Sequence, residues 1–211
     1  MYIIYMISTI YGYPICKVSV KDKMKMMDEV YLNVKKIGNV SMWDSECLTT
    51  STVSNENKFS SEHVKNEIMY HTNEMIKELG LNLDLGLKMC DTKDCTFCDD
   101  IWMNVYNKGH YQVTHTHHSE QPGAALPLFS FSYFAKYNPE KDAKFIFVNP
   151  APSSDCKELH KLDCFKPEIT MDVKEGDIII FPNFMPHRVE EQLDKGPRIT
   201  ISGNLYEQLK D

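Results

Sequence analysis

From Ile101 onward the chain is written in short runs rich in β-branched and aromatic residues: IWMNVY, LFSFSYFAKY, AKFIFVNP, EITMDV, DIIIFP, HRVEEQL and RITISGNLYE. Turn-forming stretches, NKG, NPEKD, KEGD and DKGP, separate them. So many short strands in succession predict a mainly β fold, a sandwich or double-stranded β-helix (jelly roll).

The first hundred residues read differently. TIYGYPICKVSV predicts a strand interrupted by a Gly/Pro turn, and KMMDEVYLNVKKIG an amphipathic helix closing at Gly38. WDSECLTTSTVSNENK is polar and loop-like. SSEHVKNEIMYHTNEMIKELG opens with Ser60 and Ser61, carries acids in its first turn and ends at Gly80, which are helix start and stop signals. The two helices are expected to pack on one outer face of the β half. With no internal repeat or low-complexity linker, residues 1–211 are read as a single domain, 1–100 supplying the opening strand and helices and 101–206 the jelly-roll core.

Composition excludes several classes. A net charge of −7 repels a phosphate backbone, so long nucleic acid is not an expected partner. The most basic stretch, VSVKDKMKMMDEVYLNVKK, mixes lysines with acids and apolar residues at helical spacing, the pattern of a solvated helix face. The apolar opening MYIIYMISTIYGYPIC has no basic flank and is broken by Ser, Thr, Gly and Pro, too short and interrupted to span a membrane; Met6 is a second candidate initiator. The seven cysteines are an odd set without a secretory signal, and are read as reduced thiols of a cytoplasmic protein. Cys90, Cys95 and Cys98, at C-x4-C-x2-C, have the spacing of a zinc or cluster site but lack a clustered fourth cysteine, and are read as thiols in a loop. His63, His71, His110 and His160 have no partner pattern and are read as surface or helix residues.

THTHHSE, residues 114–120, gathers three of the eight histidines. His115 and His117 are one residue apart, so on a strand both project from the same face. His187, just after the apolar run DIIIFP, is the natural third ligand. Three imidazoles from a cup of strands suit a borderline metal such as Fe(II), Zn or Ni over Mg or Ca.

The surroundings of these histidines carry a resemblance. Asn104, Tyr106 and Gly109 precede His115 in NVYNKGHYQVTHTH, and His187 is followed after ten residues by Arg198 and then Thr200. This order resembles the N-x-Y-x-x-G-x5-H-x-D and H-x10-R-x-S/T signatures of the 2-oxoglutarate and Fe(II) dependent oxygenase superfamily, over roughly residues 101–206. WDSECLTTS, the following helix, WMNVYNKG and HTH also resemble small bacterial and phage-type members with HTH in place of HxD. The resemblance implies Fe(II) held by His115, His117 and His187, and 2-oxoglutarate gripped at its distal carboxylate by Arg198 with Thr200 beside it. Asn104 and Tyr106 are placed toward the metal face. Strand alternation agrees, since it puts Arg198, Thr200 and Ser202 on one face of RITISGNLY and Ile199 and Ile201 on the other.

One position departs from the pattern. His117 stands where the common motif has a carboxylate, which leaves the centre one charge unit more positive. His118-Ser119-Glu120 is a rival H-x-E; it would restore the carboxylate but slips by three residues against Asn104, Tyr106 and Gly109 and turns the strand's side chains over. The implied activity is a dioxygenase that hydroxylates a peptide side chain or small metabolite, releasing succinate and CO2. Two alternatives stand beside it: a three-His oxygenase of the cupin type that does not use 2-oxoglutarate, and a non-catalytic metal-binding jelly-roll module. SEQPGAALP and NPAPSSDCKELHKLDCFKP are the expected walls or lids. No pattern names the substrate or an oligomeric state.

Overall fold

The computed structural model describes residues 6–20, 28, 30, 47–50, 59, 61–87, 101–117, 127–150 and 159–208. Glu120, the Cys90/Cys95/Cys98 cluster, SEQPGAALP up to its final proline, and residues 151–158 of the second expected wall lie outside the described residues. So does most of the expected helix closing at Gly38, of which Asp28 and Val30 are described; both are helical, and Val30 is fully buried.

The fold is mainly β, two antiparallel sheets stacked face to face. The larger takes β1 (Met6–Ile10), β2 (Tyr13–Ser19), β10 (Asp177–Pro182), β7 (Phe129–Lys136), β12 (Arg198–Glu207), β5 (Ile101–Tyr106) and β3 (Leu48–Thr49) in that spatial order, with β4 (Leu85–Gly86) pairing the far end of β12. The smaller is β6 (Gln112–His115), β11 (His187–Val189), β8 (Phe145–Val148) and β9 (Glu168–Thr170). Sequence neighbours such as β7 and β8 lie in different sheets, as a jelly roll requires.

Alternation in the central strands builds two cores. Ile178 and Ile180 of β10, Phe131 and Tyr133 of β7, and Ile199 and Ile201 of β12 join the cluster on one face of the larger sheet. The intervening Ile179, Phe181 and Phe134 turn inward and pack with Phe145 and Phe147 of the smaller sheet. The serines of LFSFSYFAKY thus face inward with Phe134, and Phe129, Phe131 and Tyr133 face the outer core.

That outer core is covered by α1 (Glu62–Glu78). Val64, Ile68, His71, Thr72, Met75 and Ile76 are buried at helical spacing, and Val64, Ile68, Met75 and Ile76 join the outer cluster. The Ser61 hydroxyl accepts from the Val64 N–H at 3.1 Å, so the expected N-cap is in place. At the other end Gly80 has φ +66°, and Leu81 N–H returns to the Ile76 carbonyl, the closing pattern that needs a left-handed residue. His71 lies on this helix, buried beside Glu67.

Two expected segments are adjusted. In TIYGYPICKVSV the turn is Tyr11-Gly12, both at positive φ, which makes a tight hairpin, while Pro14 sits within β2. HRVEEQL contributes only His187–Val189 as strand, because Gln192 turns inward, fully buried, to bond Asp142, the Ala143 N–H and the Gly196 carbonyl.

Candidate metal centre

Opposite ends of the motif meet where the two sheets face each other. His115 ends β6, His187 begins β11, and the two are direct cross-strand partners with ring centroids 4.3 Å apart. The chain continues extended past β6, and His117 donates its backbone N–H to the Asn183 carbonyl just before β11. Its ring lies 5.5 Å from that of His115 and 5.0 Å from that of His187. One nitrogen from each ring falls within 4.8 Å of the others, close enough for one ion to engage all three. The expected trio is therefore brought together.

The hydrogen bonds of the rings decide which nitrogen faces the centre. His115 Nδ1 meets the Val113 carbonyl at 2.8 Å, His187 Nδ1 the Met185 carbonyl at 2.9 Å, and His117 Nδ1 the Asn204 Oδ1 at 2.7 Å. A carbonyl oxygen only accepts, so each Nδ1 carries the proton and each Nε2 the lone pair. That tautomer, fixed from behind by an oxygen, is the one a metal-binding imidazole needs. Phe145 stacks on His187 at 5.2 Å and Phe181 meets it edge-on at 5.0 Å. Burial in these walls is the main cause that drives the His187 pKa well below its usual value. It also lowers His117 to about 4, helped by neighbouring His115, and lowers His115 as well. All three are thus neutral at physiological pH.

Beyond the histidines a narrow cleft runs along β5 and β12. Three cross-strand pairs line it in order: Trp102 with Ser202, Asn104 with Thr200, and Tyr106 with Arg198. The alternation of β12 turns Arg198, Thr200 and Ser202 to the cleft, since Ile199 and Ile201 lie in the outer core. Arg198 has no exposed surface, and among the described residues none of its Nε, Nη1 and Nη2 atoms finds an acceptor with full hydrogen-bond geometry. Its guanidinium lies 4.5 Å from the Tyr106 ring centroid, 5.6 Å from Phe134 and 5.7 Å from Tyr137. The Tyr106 hydroxyl gives its proton to Gln112 Oε1 at 2.6 Å, and its oxygen lies close to Arg198 and Thr200, which steady it as near donors. Burial pushes this phenol's pKa up, so it stays protonated. Asn104 Oδ1, also buried, meets no hydrogen-bond partner among the described residues. A buried cation walled by aromatics, with no well-formed hydrogen bond to an acceptor among the described residues, could receive a carboxylate.

Sequence reasoning missed Gln112, Trp102 and Asn204. Gln112 is an odd number of residues from His115, and strict alternation would turn it away. The β6–β11 register shifts between His187 and Val189, opposite His115 and Gln112, and this bulge brings both side chains to the cleft. Trp102 and Asn204 follow from continuing the alternation of β5 and β12 by one further step.

The model of a family described as "Putative 2OG-Fe(II) oxygenase" matches residues 100–204, about half the chain and all of the site. No curated protein matches in sequence. Among solved structures, a Pseudomonas putida prolyl-4-hydroxylase is similar with a TM-score of 0.60 at 10% identity, covering 93% of this chain and 94% of that one. HygX from Streptomyces hygroscopicus, solved with nickel, 2-oxoglutarate and hygromycin B bound, gives 0.59 at 11% identity, covering 92% and 83%. A viral collagen prolyl hydroxylase from Paramecium Bursaria Chlorella virus-1 gives 0.57 at 15% identity, covering 94% and 92%. At these identities the likeness is one of fold.

Proposed function

Because this chain belongs to the 2-oxoglutarate and Fe(II) dependent oxygenase superfamily, we propose that it is a dioxygenase that hydroxylates a peptide side chain or a small metabolite. His115, His117 and His187 would hold Fe(II) through Nε2, and Arg198 with Thr200 would hold the distal carboxylate of 2-oxoglutarate. The observation that carries this reading is the fully buried Arg198, its nitrogens unanswered among the described residues, in the same cleft as the three imidazoles. A three-His oxygenase of the cupin type, or a module that only binds metal, has no use for such a group.

Fe(II) with 2-oxoglutarate supplies dioxygen activation coupled to oxidative decarboxylation, with succinate and CO2 as products. The protein's own part is orientation and exclusion of water. Arg198 would answer two carboxylate oxygens at once through its planar fork. Asn104 and Tyr106 line the cleft that would receive the diacid, and Tyr106 is kept turned by Gln112. Phe145 and Phe181 keep the back of the histidine cluster dry. Solved relatives named for prolyl and hygromycin B chemistry support both a peptide and a small-molecule substrate.

The test is an anaerobic titration of metal-free protein with Fe(II) and then 2-oxoglutarate, followed by the weak visible charge-transfer band, with succinate release measured on admitting air. A band that survives Glu120→Ala and is lost in His117→Ala is the expected outcome. Metal binding without a band or succinate would move the cupin and binding-module readings ahead.

A further inference from the structure

The three histidines are not anchored alike. His115 and His187 each give their Nδ1 proton to the backbone carbonyl two residues earlier, Val113 and Met185, an acceptor that any sequence supplies. His117, the one in the position where the superfamily signature has a carboxylate, depends instead on a side chain. Its Nδ1 proton goes to Asn204 Oδ1, 87 residues away on β12, at 2.7 Å. The same oxygen accepts from the Ser130 hydroxyl of β7 at 2.8 Å, and both Asn204 and Ser130 are buried. Ser130 and Asn204 are cross-strand partners, so the pleat of the large sheet fixes their contact.

We infer that Asn204, steadied by Ser130, is the positioning residue that makes His117 a metal ligand. The inference rests on the metal site proposed above and adds to it how an imidazole serves where a carboxylate is usual. A carboxylate needs no tautomer, because either oxygen coordinates. An imidazole ligates only with its proton on the far nitrogen, and a flip of the ring or of the proton removes the lone pair from the site. His117 lies two residues beyond the end of β6, outside the strand ladder that holds its neighbour His115. The amide oxygen fixes both the ring's angle and its tautomer, and both lone pairs of that oxygen are engaged by Ser130 and His117.

The experiment uses the whole chain, with Ni(II) affinity measured by competition against a chelator. In parallel, 15N spectra of the imidazole rings of metal-free protein report the tautomer without metal or turnover. Asn204→Leu removes the acceptor, and affinity should fall 10- to 100-fold; Asn204→Asp keeps an oxygen in place and should retain wild-type affinity or exceed it. In the wild type, His117 should show Nδ1 protonated. Undiminished Ni(II) affinity in Asn204→Leu, or an Nε2-protonated His117 in wild type, overturns the inference. If Asn204→Leu does not fold, Asn204→Asp and the wild-type tautomer still decide it. A His117→Ala control separates the two levels: if that variant binds Ni(II) as wild type does, the three-histidine site itself falls.

Discussion

Arg198→Met should make the metal-free protein more stable, although it removes the residue at the centre of the proposed cosubstrate seat. The guanidinium is fully buried, and among the described residues its nitrogens meet no acceptor with full hydrogen-bond geometry. An unpaired ion in such a place costs several kcal/mol even after relaxation, while an aromatic face at 4.5 Å returns about 2 kcal/mol when desolvated. Methionine keeps most of the apolar stem and its packing on Tyr106, Phe134 and Tyr137. The net expectation is a gain of about 1–3 kcal/mol for the variant, in line with other buried charges replaced by apolar groups. Cosubstrate reverses the order. With a redox-inert divalent metal and 2-oxoglutarate at about a hundred times its Kd, wild type should gain about 2.7 kcal/mol; the variant should gain nothing from the diacid. Equilibrium urea unfolding of both proteins, with and without metal and 2-oxoglutarate, reads every term. A metal-free variant less stable than wild type by more than about 1 kcal/mol would mean that the arginine is already answered within the protein. An equal gain from 2-oxoglutarate in both proteins would refute the seat.

Metal-free protein should lose stability as pH falls from 6.5 toward 4. His117 titrates near 4 in the fold against 6.5 when exposed, so the unfolded chain binds the extra proton in that window and is favoured. The His117 share is roughly 3 kcal/mol, absent above pH 6.5 and complete below 4; urea midpoints should depend less steeply on pH in His117→Gln, and an unchanged slope would count against the burial described. Metal binding should quench Trp102 emission, whose ring lies 5.5 Å from His117; Trp102→Phe should lose the signal and keep the affinity in a chelator competition. Ser61→Ala should destabilise the fold by about 1 kcal/mol through loss of the helix cap, with metal affinity unchanged. Tyr106→Phe breaks the bond to Gln112 and should weaken 2-oxoglutarate binding several-fold while leaving Ni(II) affinity intact, as calorimetric titration of each would report.

What could be read in advance follows from periodicity. β12 shows this well, because strict alternation over Arg198–Ser202 assigns every side chain to its face without reference to any other strand. The trio of histidines was legible for the same reason, His115 and His117 sharing a parity and His187 following an unmistakable buried strand. Gln112 was not, because a bulge is a property of the pairing between β6 and β11 and leaves no mark in either strand alone. The early end of β11 was hidden too. Val189 and Gln192 look like one run, but Gln192 is drawn away by Asp142, 50 residues earlier in the chain. The anchoring of His117 by Asn204 is likewise a meeting of distant segments, visible only once the sheets are closed.

β12 lies between β5 and β7 over Ile199–Gly203 and presents Arg198 and Asn204 to the interior at positions six apart. It behaves as a ruler with marks at both ends. An insertion between Glu190 and Pro197 falls in a connecting loop and leaves the marks in step, whereas one residue added between Ile199 and Gly203 would turn one end of the strand over relative to the other. For anyone grafting or shuffling this chain, Arg198–Asn204 is therefore the smallest segment that must travel uncut.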